Sequence, residues 1–217
     1  MNKQKIFSIA ILLLAVFFIG KEIYKAPENG LIKKVNSFYY AGDYQQAKNE
    51  LENYLNEYPN SLKGWNYLGL VKLDLNDTLG AEKAYEKALK LDEKSERAII
   101  GLGVVERMRG NYSKAKTYYL SVLKVNPNNA DAYSSMLVLE IKNRNYANAV
   151  ALGEKARGLE LINKTPGILG NLVIAYHLNK QIKERDQALA ELEKMNYKDI
   201  EYTKMLINGS VDFNDVF

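Results

Sequence analysis

The hydrophobic positions of this chain fall into two regimes. Residues 6–20 read IFSIAILLLAVFFIG without a single charge, between the basic head MNKQK and Lys21. From residue 28 onward apolar and charged residues are mixed, and residues of one kind return every 34 positions, the mark of a repeat array. Gly42-Asp43-Tyr44, Asn76-Asp77-Thr78, Gly110-Asn111-Tyr112 and Arg144-Asn145-Tyr146 share one set of columns, and Ala47, Ala81, Ala115 and Ala149 follow in register. Ser61, Ser95, Asn129 and Asn163 have the same spacing and are residues of the kind that start helices. Each row therefore predicts two helices. Asp43, Asp77, Asn111 and Asn145 are placed to cap the second helix by accepting from the free amides of its first turn, and the alanine lets the pair approach closely.

These columns resemble the tetratricopeptide repeat, whose pattern puts Trp, Leu-Gly and Tyr on the first helix and Ala, an aromatic, Ala and Pro later. Row two matches with Trp65, Leu68-Gly69, Ala81, Tyr85 and Ala88, and departs at Lys72 and Glu93, where Tyr and Pro are expected. Row three supplies Leu102-Gly103, Ala115, Tyr119 and Pro127. Row one keeps Phe38, Ala47, Leu51 and Pro59 but has Lys34-Val35 for Leu-Gly, and row four keeps Met136, Ala149 and Ala156. Two extra residues follow row four, and Thr165-Pro166 reads as a cap and a first helical proline for a fifth pair, where Leu172 and Tyr176 fit and Arg185 does not.

The resemblance implies an all-α, TPR-like helical-hairpin solenoid of about five helix pairs plus a C-terminal capping helix, preceded by one N-terminal hydrophobic helix. The expected division is a signal-anchor or transmembrane segment over 1–27, a solenoid over 28–197 and a capping helix with tail over 198–217. The repeats are expected at about 28–61, 62–95, 96–129, 130–163 and 166–197. The capping helix runs from Lys198 to Ile207 and stops at Asn208-Gly209, covering the open end of the stack. Beyond it Val211, Phe213, Val216 and Phe217 alternate with Asp212 and Asp215, a pattern able to bind a groove or stay loose.

The first apolar run reads as a bilayer contact through residues 6–20. At about 1.5 Å per residue it covers roughly 22 Å, less than a hydrocarbon core of about 30 Å, so Lys5 and Lys21 would snorkel or the bilayer thin. A cleaved signal peptide is the rival, but no small-residue A-x-A-like pattern follows the run. The expectation is an uncleaved single-pass anchor, with its N-terminus in the cytoplasm and the bulk of the chain periplasmic or extracytoplasmic.

Composition narrows the chemistry. There is no cysteine and one histidine, His177, which excludes thiol chemistry, iron–sulfur clusters, Cys-ligated zinc and multi-histidine metal sites. The carboxylates sit on helix faces or caps without a converging pair. No catalytic residue, metal site or cofactor is expected. A net charge of +4 among 30 basic and 26 acidic residues, with no basic run interleaved with aromatics, argues against a nucleic-acid partner. Lys83, Lys87 and Lys90 with Glu82 and Glu86 read as a solvated helix face.

Similar solenoids present the first helix of each pair along a concave groove for a peptide or partner helix. The positions that the family uses correspond here to Asn66, Leu70 and Leu73 in row two and Arg97, Ile100, Val104 and Arg107 in row three. Row four adds Ser134, Val138 and Ile141, and the fifth pair Ile174 and His177. This surface is apolar with scattered polar groups and suits a hydrophobic segment carrying an acid opposite Arg97 or Arg107. The competing expectation is that Leu70, Val104 and Val138 only pack between neighbouring first helices. The family's carboxylate clamp does not carry over, because Ile32, Tyr67 and Gly101 occupy clamp columns beside Asn36. Of the sixteen tyrosines, Tyr44, Tyr85, Tyr112, Tyr119 and Tyr146 occupy structural columns, leaving Tyr39 and Tyr40 to bind.

The function expected from these features is a membrane-tethered scaffold or adaptor whose protein or peptide partners are membrane or envelope proteins, in assembly or stabilisation of a complex. Tethering raises effective concentration for partners on the same surface. The alternative is a chaperone-like holdase at a secretion or translocation site that takes many clients. Homo-oligomerisation through the groove and the 211–217 tail is a further expectation, read by light scattering.

Overall fold

A computed structural model of the protein describes residues 28–211. The expected membrane segment and the last six residues of the tail lie outside the described residues. Every regular element among the described residues is helical. The described residues divide into two compact units, 28–93 and 94–211.

The first unit holds α1 (28–40), α2 (Tyr44–Glu57), α3 (Leu62–Asp74) and α4 (Thr78–Leu91). Its core joins Leu31, Ile32 and Val35 of α1 to Ala47, Leu51 and Leu55 of α2, Leu68 and Val71 of α3, and Ala84 of α4. The spacing of these positions by three and four puts them on one stripe of each helix. The alanine column works as the sequence implied, since Ala47 and Ala81 have no exposed surface.

The second unit holds α5 (Glu96–Met108), α6 (Tyr112–Val125), α7 (Ala130–Lys142), α8 (Tyr146–Gly158), α9 (Leu161–Lys164), α10 (Pro166–Leu178), α11 (Ile182–Lys194) and α12 (Ile200–Ile207). One core cluster links α5, α6 and α7 around Ile100, Tyr119 and Met136. A larger one links α7 through α12 around Leu137, Leu169, Leu172, Leu192 and Leu206. Leu206 places α12 against α10 as an end cap, and Gly209, at φ +78°, ends it.

All five turns inside the hairpins are alike. The amides of Asp43, Asp77, Asn111, Asn145 and Gln181 donate to the carbonyls of Phe38, Lys72, Glu106, Glu140 and Tyr176, five residues back, at 2.8–2.9 Å. The residue before each donor has positive φ: Gly42, Asn76, Gly110, Arg144 and Lys180. This is the left-handed helix ending in which a six-to-one bond satisfies an orphan carbonyl. Only two of the five use glycine, so Arg144 and Lys180 hold a conformation disfavoured for a side chain by about 1 kcal/mol.

Side-chain volume is complementary across the second, third and fourth pairs. Gly69 lies under the ring of Tyr85, where an added methyl carbon would fall 2.6 Å from the ring, and Gly103 lies under Tyr119 at 2.4 Å. In the fourth repeat the same columns hold Leu137 and Gly153, with the small residue now on the second helix.

Three expectations are corrected. Asn163 does not start a helix: it lies inside α9, an extra turn whose Leu161 and Ile162 are buried. Asn111 and Asn145 make no side-chain cap, unlike Asp43 and Asp77, which accept from the amides of Gln46 and Gly80. Their amide nitrogens donate instead to Glu106 and Glu140, at 2.8 and 2.9 Å. Ser95 and Thr165 hold cap positions without a side-chain cap bond, whereas Ser61 and Asn129 accept from Gly64 and Ala132.

Candidate partner-binding surface

Asn66, Leu70 and Leu73 stand on α3 of the first unit. The other nine candidate residues stand on α5, α7 and α10 of the second. Burial sorts them. Asn66, Leu73, Ile100, Ile141 and Ile174 are each at most 8% exposed, with Ile100 in the α5–α7 cluster and Ile141 and Ile174 in the α7–α12 cluster. These five present little surface. Leu70, Val104, Arg107, Ser134, Val138 and His177 are half-buried and Arg97 is exposed, so the positions read as either groove or packing are both partly packed and partly open.

In the second unit the half-buried group comes from three first helices: Val104 and Arg107 from α5, Ser134 and Val138 from α7, and His177 from α10. Polar contacts tie the same face together. Asn171 Nδ2 donates to Ser134 Oγ at 3.4 Å, and the Arg185 guanidinium lies 3.3 Å from His177 Nδ1. Burial, with Arg185 second, holds the His177 pKa below its ordinary value, so the ring is neutral near pH 7.

Sequence reasoning missed Lys142, at the last turn of α7. Burial and then the Arg107 charge lower its pKa, so two cations share this face. Among the described residues neither forms an ion pair. The Tyr119 phenol is buried, which pushes its pKa up to about 12 against the lowering effect of the Arg107 charge. A carboxylate brought to two such like charges relieves their mutual repulsion.

Sequence reasoning also missed two buried carboxylates. Glu106 and Glu140, 34 apart in one column, are each 3% exposed. Glu106 accepts from Lys114 Nζ at 2.6 Å and Asn111 at 2.8 Å, with Arg109 at 3.6 Å. The bond from Lys114 leads in holding its pKa below the ordinary 4.5, against the opposing effect of burial. At Glu140 burial is the largest influence and raises the pKa, but the bonds from Lys116, Asn145 and Asn148 together outweigh it. In the second repeat the column holds Lys72, which pairs with Glu52 at 3.1 Å and lies 3.9 Å from Asp77. The first-helix charge and the residue five positions on thus change together: Lys with Asp, Glu with Asn. These are ion pairs of the framework, and no group of three or more His, Asp or Glu side chains among the described residues is placed to hold a metal.

Tyr39 is not free to bind, contrary to expectation. Its hydroxyl donates to Asp74 at 2.7 Å, and its ring meets Tyr40 and Tyr44 edge-on. Burial, then Asp74, drives its pKa well above the ordinary tyrosine value. Tyr40 is 73% exposed.

The family model of the cytochrome c-type biogenesis protein H TPR domain matches residues 40–159, more than half of the 217 residues. The chain belongs to that TPR family. No curated protein matches its sequence. Among solved structures, a thermophilic TPR protein of Thermus thermophilus is similar over 82% of this chain and all of its own, at 18% identity and a TM-score of 0.71. The pilF protein of Pseudomonas aeruginosa covers 76% of this chain and 75% of its own, at 18% identity and 0.59. MamA of Desulfovibrio magneticus covers 78% and 95%, at 16% identity and 0.54. At these identities the likeness is one of fold. TPR modules are protein-interaction scaffolds and typically carry no chemistry of their own. No described helix of this one is long and apolar enough to cross a membrane.

Proposed function

We propose that this TPR protein is a membrane-tethered adaptor that holds a membrane or envelope protein during assembly or stabilisation of a complex. The observation that carries the reading is the mix of half-buried apolar and cationic side chains on two helices that share one core cluster, Val104 and Arg107 on α5 and Val138 and Lys142 on α7. That face suits an apolar segment bearing a carboxylate. The family description, cytochrome c-type biogenesis, supports assembly work and points to a client of that kind. The uncharged run at residues 6–20 supports a tether, with the repeats on the extracytoplasmic side. Confinement to the client's own membrane lets a weak groove act through effective concentration.

The test is photocrosslinking in cells from probes at Val104, Ser134 and Val138, followed by mass spectrometry, with alkaline extraction of membranes to follow the anchor. One discrete membrane or envelope protein is the expected product. A ladder of unrelated clients would replace the adaptor by a holdase, and crosslinks to residues 211–217 alone would mean that the face is occupied by the chain itself.

A further inference from the structure

The first unit carries a second surface, unlike the one just described. Between α3 and α4 lies a half-open groove of about 280 Å³, floored by Trp65, Leu68 and Ala84 and edged by Lys83, Lys87 and Lys90. Lys72 reaches its end and Glu86 its rim, so the charged lining is four cations to one anion. Lys72 is already paired with Glu52. Lys83, Lys87 and Lys90 are exposed and form no ion pair among the described residues. They are therefore available rather than used up by the framework.

Helix geometry separates this groove from the candidate positions on the same helix. Trp65, Leu68 and Lys72 are spaced three and four apart and form one stripe of α3. Asn66, Leu70 and Leu73 form another, turned by roughly 130° at about 100° per residue. A partner on one stripe leaves the other open.

We infer that the α3–α4 groove binds an acidic peptide segment with a single bulky apolar side chain. The apolar side chain lies over Leu68 and Ala84 against Trp65, and its flanking carboxylates meet the lysines. Spacing favours a peptide. Lys83 and Lys87 are one turn apart, about 6 Å along the axis, and alternate side chains of an extended strand are separated by about 6.6 Å. With the apolar side chain at the centre, the carboxylates two residues to either side share its face and lie about 13 Å apart, within reach of Lys83 and Lys90, which are about 10 Å apart along the axis. A flat anionic membrane supplies the charge but cannot enter a concave, apolar-floored groove. Trp65 is half-buried, its indole N–H fixed on the Pro59 carbonyl at 2.8 Å, so the floor is set before a ligand arrives.

Trp65 is the only tryptophan of the chain, and its fluorescence reports on this groove alone. The full chain in neutral detergent is titrated with acetyl-Glu-Glu-Leu-Glu-Glu-amide, with the Gln-Gln-Leu-Gln-Gln and Glu-Glu-Gly-Glu-Glu peptides, and with phosphatidylglycerol added to the micelles. A saturable change with the first peptide is expected, at least tenfold weaker with either control and weakened by salt. The triple variant Lys83→Gln, Lys87→Gln, Lys90→Gln should lose it with an unchanged helical circular dichroism spectrum. Equal responses to the Glu and Gln peptides, no response to any peptide, a response to phosphatidylglycerol alone, or undiminished binding by the triple variant each overturn the inference. Because crosslinking from α5 and α7 reads a different surface, failure here leaves the adaptor reading standing, and the reverse holds.

Discussion

Replacing Gly103 by alanine tests the packing that holds the helix pairs together. The added methyl carbon lies 2.4 Å from Tyr119 Cε1, 2.9 Å from Cδ1 and 3.0 Å from Cζ, whereas ordinary carbon contacts are about 3.5–4.0 Å. The ring must retreat by about 1 Å to restore contact distance, yet Tyr119 has no exposed surface and sits in the α5–α7 cluster. Overpacking of this kind costs about 1–3 kcal/mol. Alanine recovers about 1 kcal/mol of helix propensity, so the upper part of the range leaves a net loss of about 1–2 kcal/mol. In a chain of this size that lowers the melting temperature by about 2–8 °C. Thermal melts followed by far-UV circular dichroism give the value, with Gly30→Ala as the opposite control. Gly30 is helical with nothing within 4 Å of the new carbon, so there the substitution should stabilise by about 0.5–1 kcal/mol. Adding Tyr119→Leu to Gly103→Ala should recover more than the two single changes sum to. A melting temperature for Gly103→Ala at or above that of the natural chain, or strict additivity in the cycle, refutes the argument.

Two further substitutions test the buried carboxylates. Asn111→Asp looks like a better helix cap, but it removes the donor to Glu106 at 2.8 Å and sets a second carboxylate beside it. The expected result is a loss of about 1–3 kcal/mol in urea unfolding, and a gain in stability would mean that Asn111 acts as a cap after all. Glu106 has its pKa held below the ordinary 4.5 by Lys114 and Asn111, so its ionised form favours the folded state. That contribution is complete above the unfolded value and is lost as pH falls through the depressed folded value. The melting-temperature gap between the natural chain and Glu106→Gln should therefore be largest near about pH 7 and shrink as the pH falls below the ordinary 4.5 and through the depressed folded value. A gap that is constant with pH would show that the charge of Glu106 contributes nothing.

The repeat architecture was legible in the sequence because it rests on local rules that recur with a fixed period. The small residues at Ala47, Ala81, Ala115 and Ala149, the Leu-Gly pairs under Tyr85 and Tyr119, and the proline that opens α10 are each fixed by close approach or by backbone geometry. A pattern of residue types records those constraints. Such rules also placed α12 and its stop at Gly209, although the extra turn α9 escaped them because Asn163 kept the cap residue type without the cap role.

What the tertiary structure alone decided is which polar and apolar side chains face one another. Asn111 and Asp77 stand in one column and look equivalent, yet one donates to a buried Glu106 while the other accepts from its own helix. The difference lies five residues back, where Glu106 replaces Lys72. The candidate surface divided for the same reason: Ile141 and Val138 are three apart on one helix, but only the first points into the α7–α12 cluster. Lys142 looks like an ordinary last-turn lysine in the sequence, and only burial and then the Arg107 charge on the neighbouring helix lower its pKa. The groove over Trp65 required the neighbouring helix to turn its lysines toward it. Periodicity fixes which way a residue points on its own helix. Burial, charge pairing and the depth of a groove depend on what the adjacent helix brings, and no column of one sequence records that.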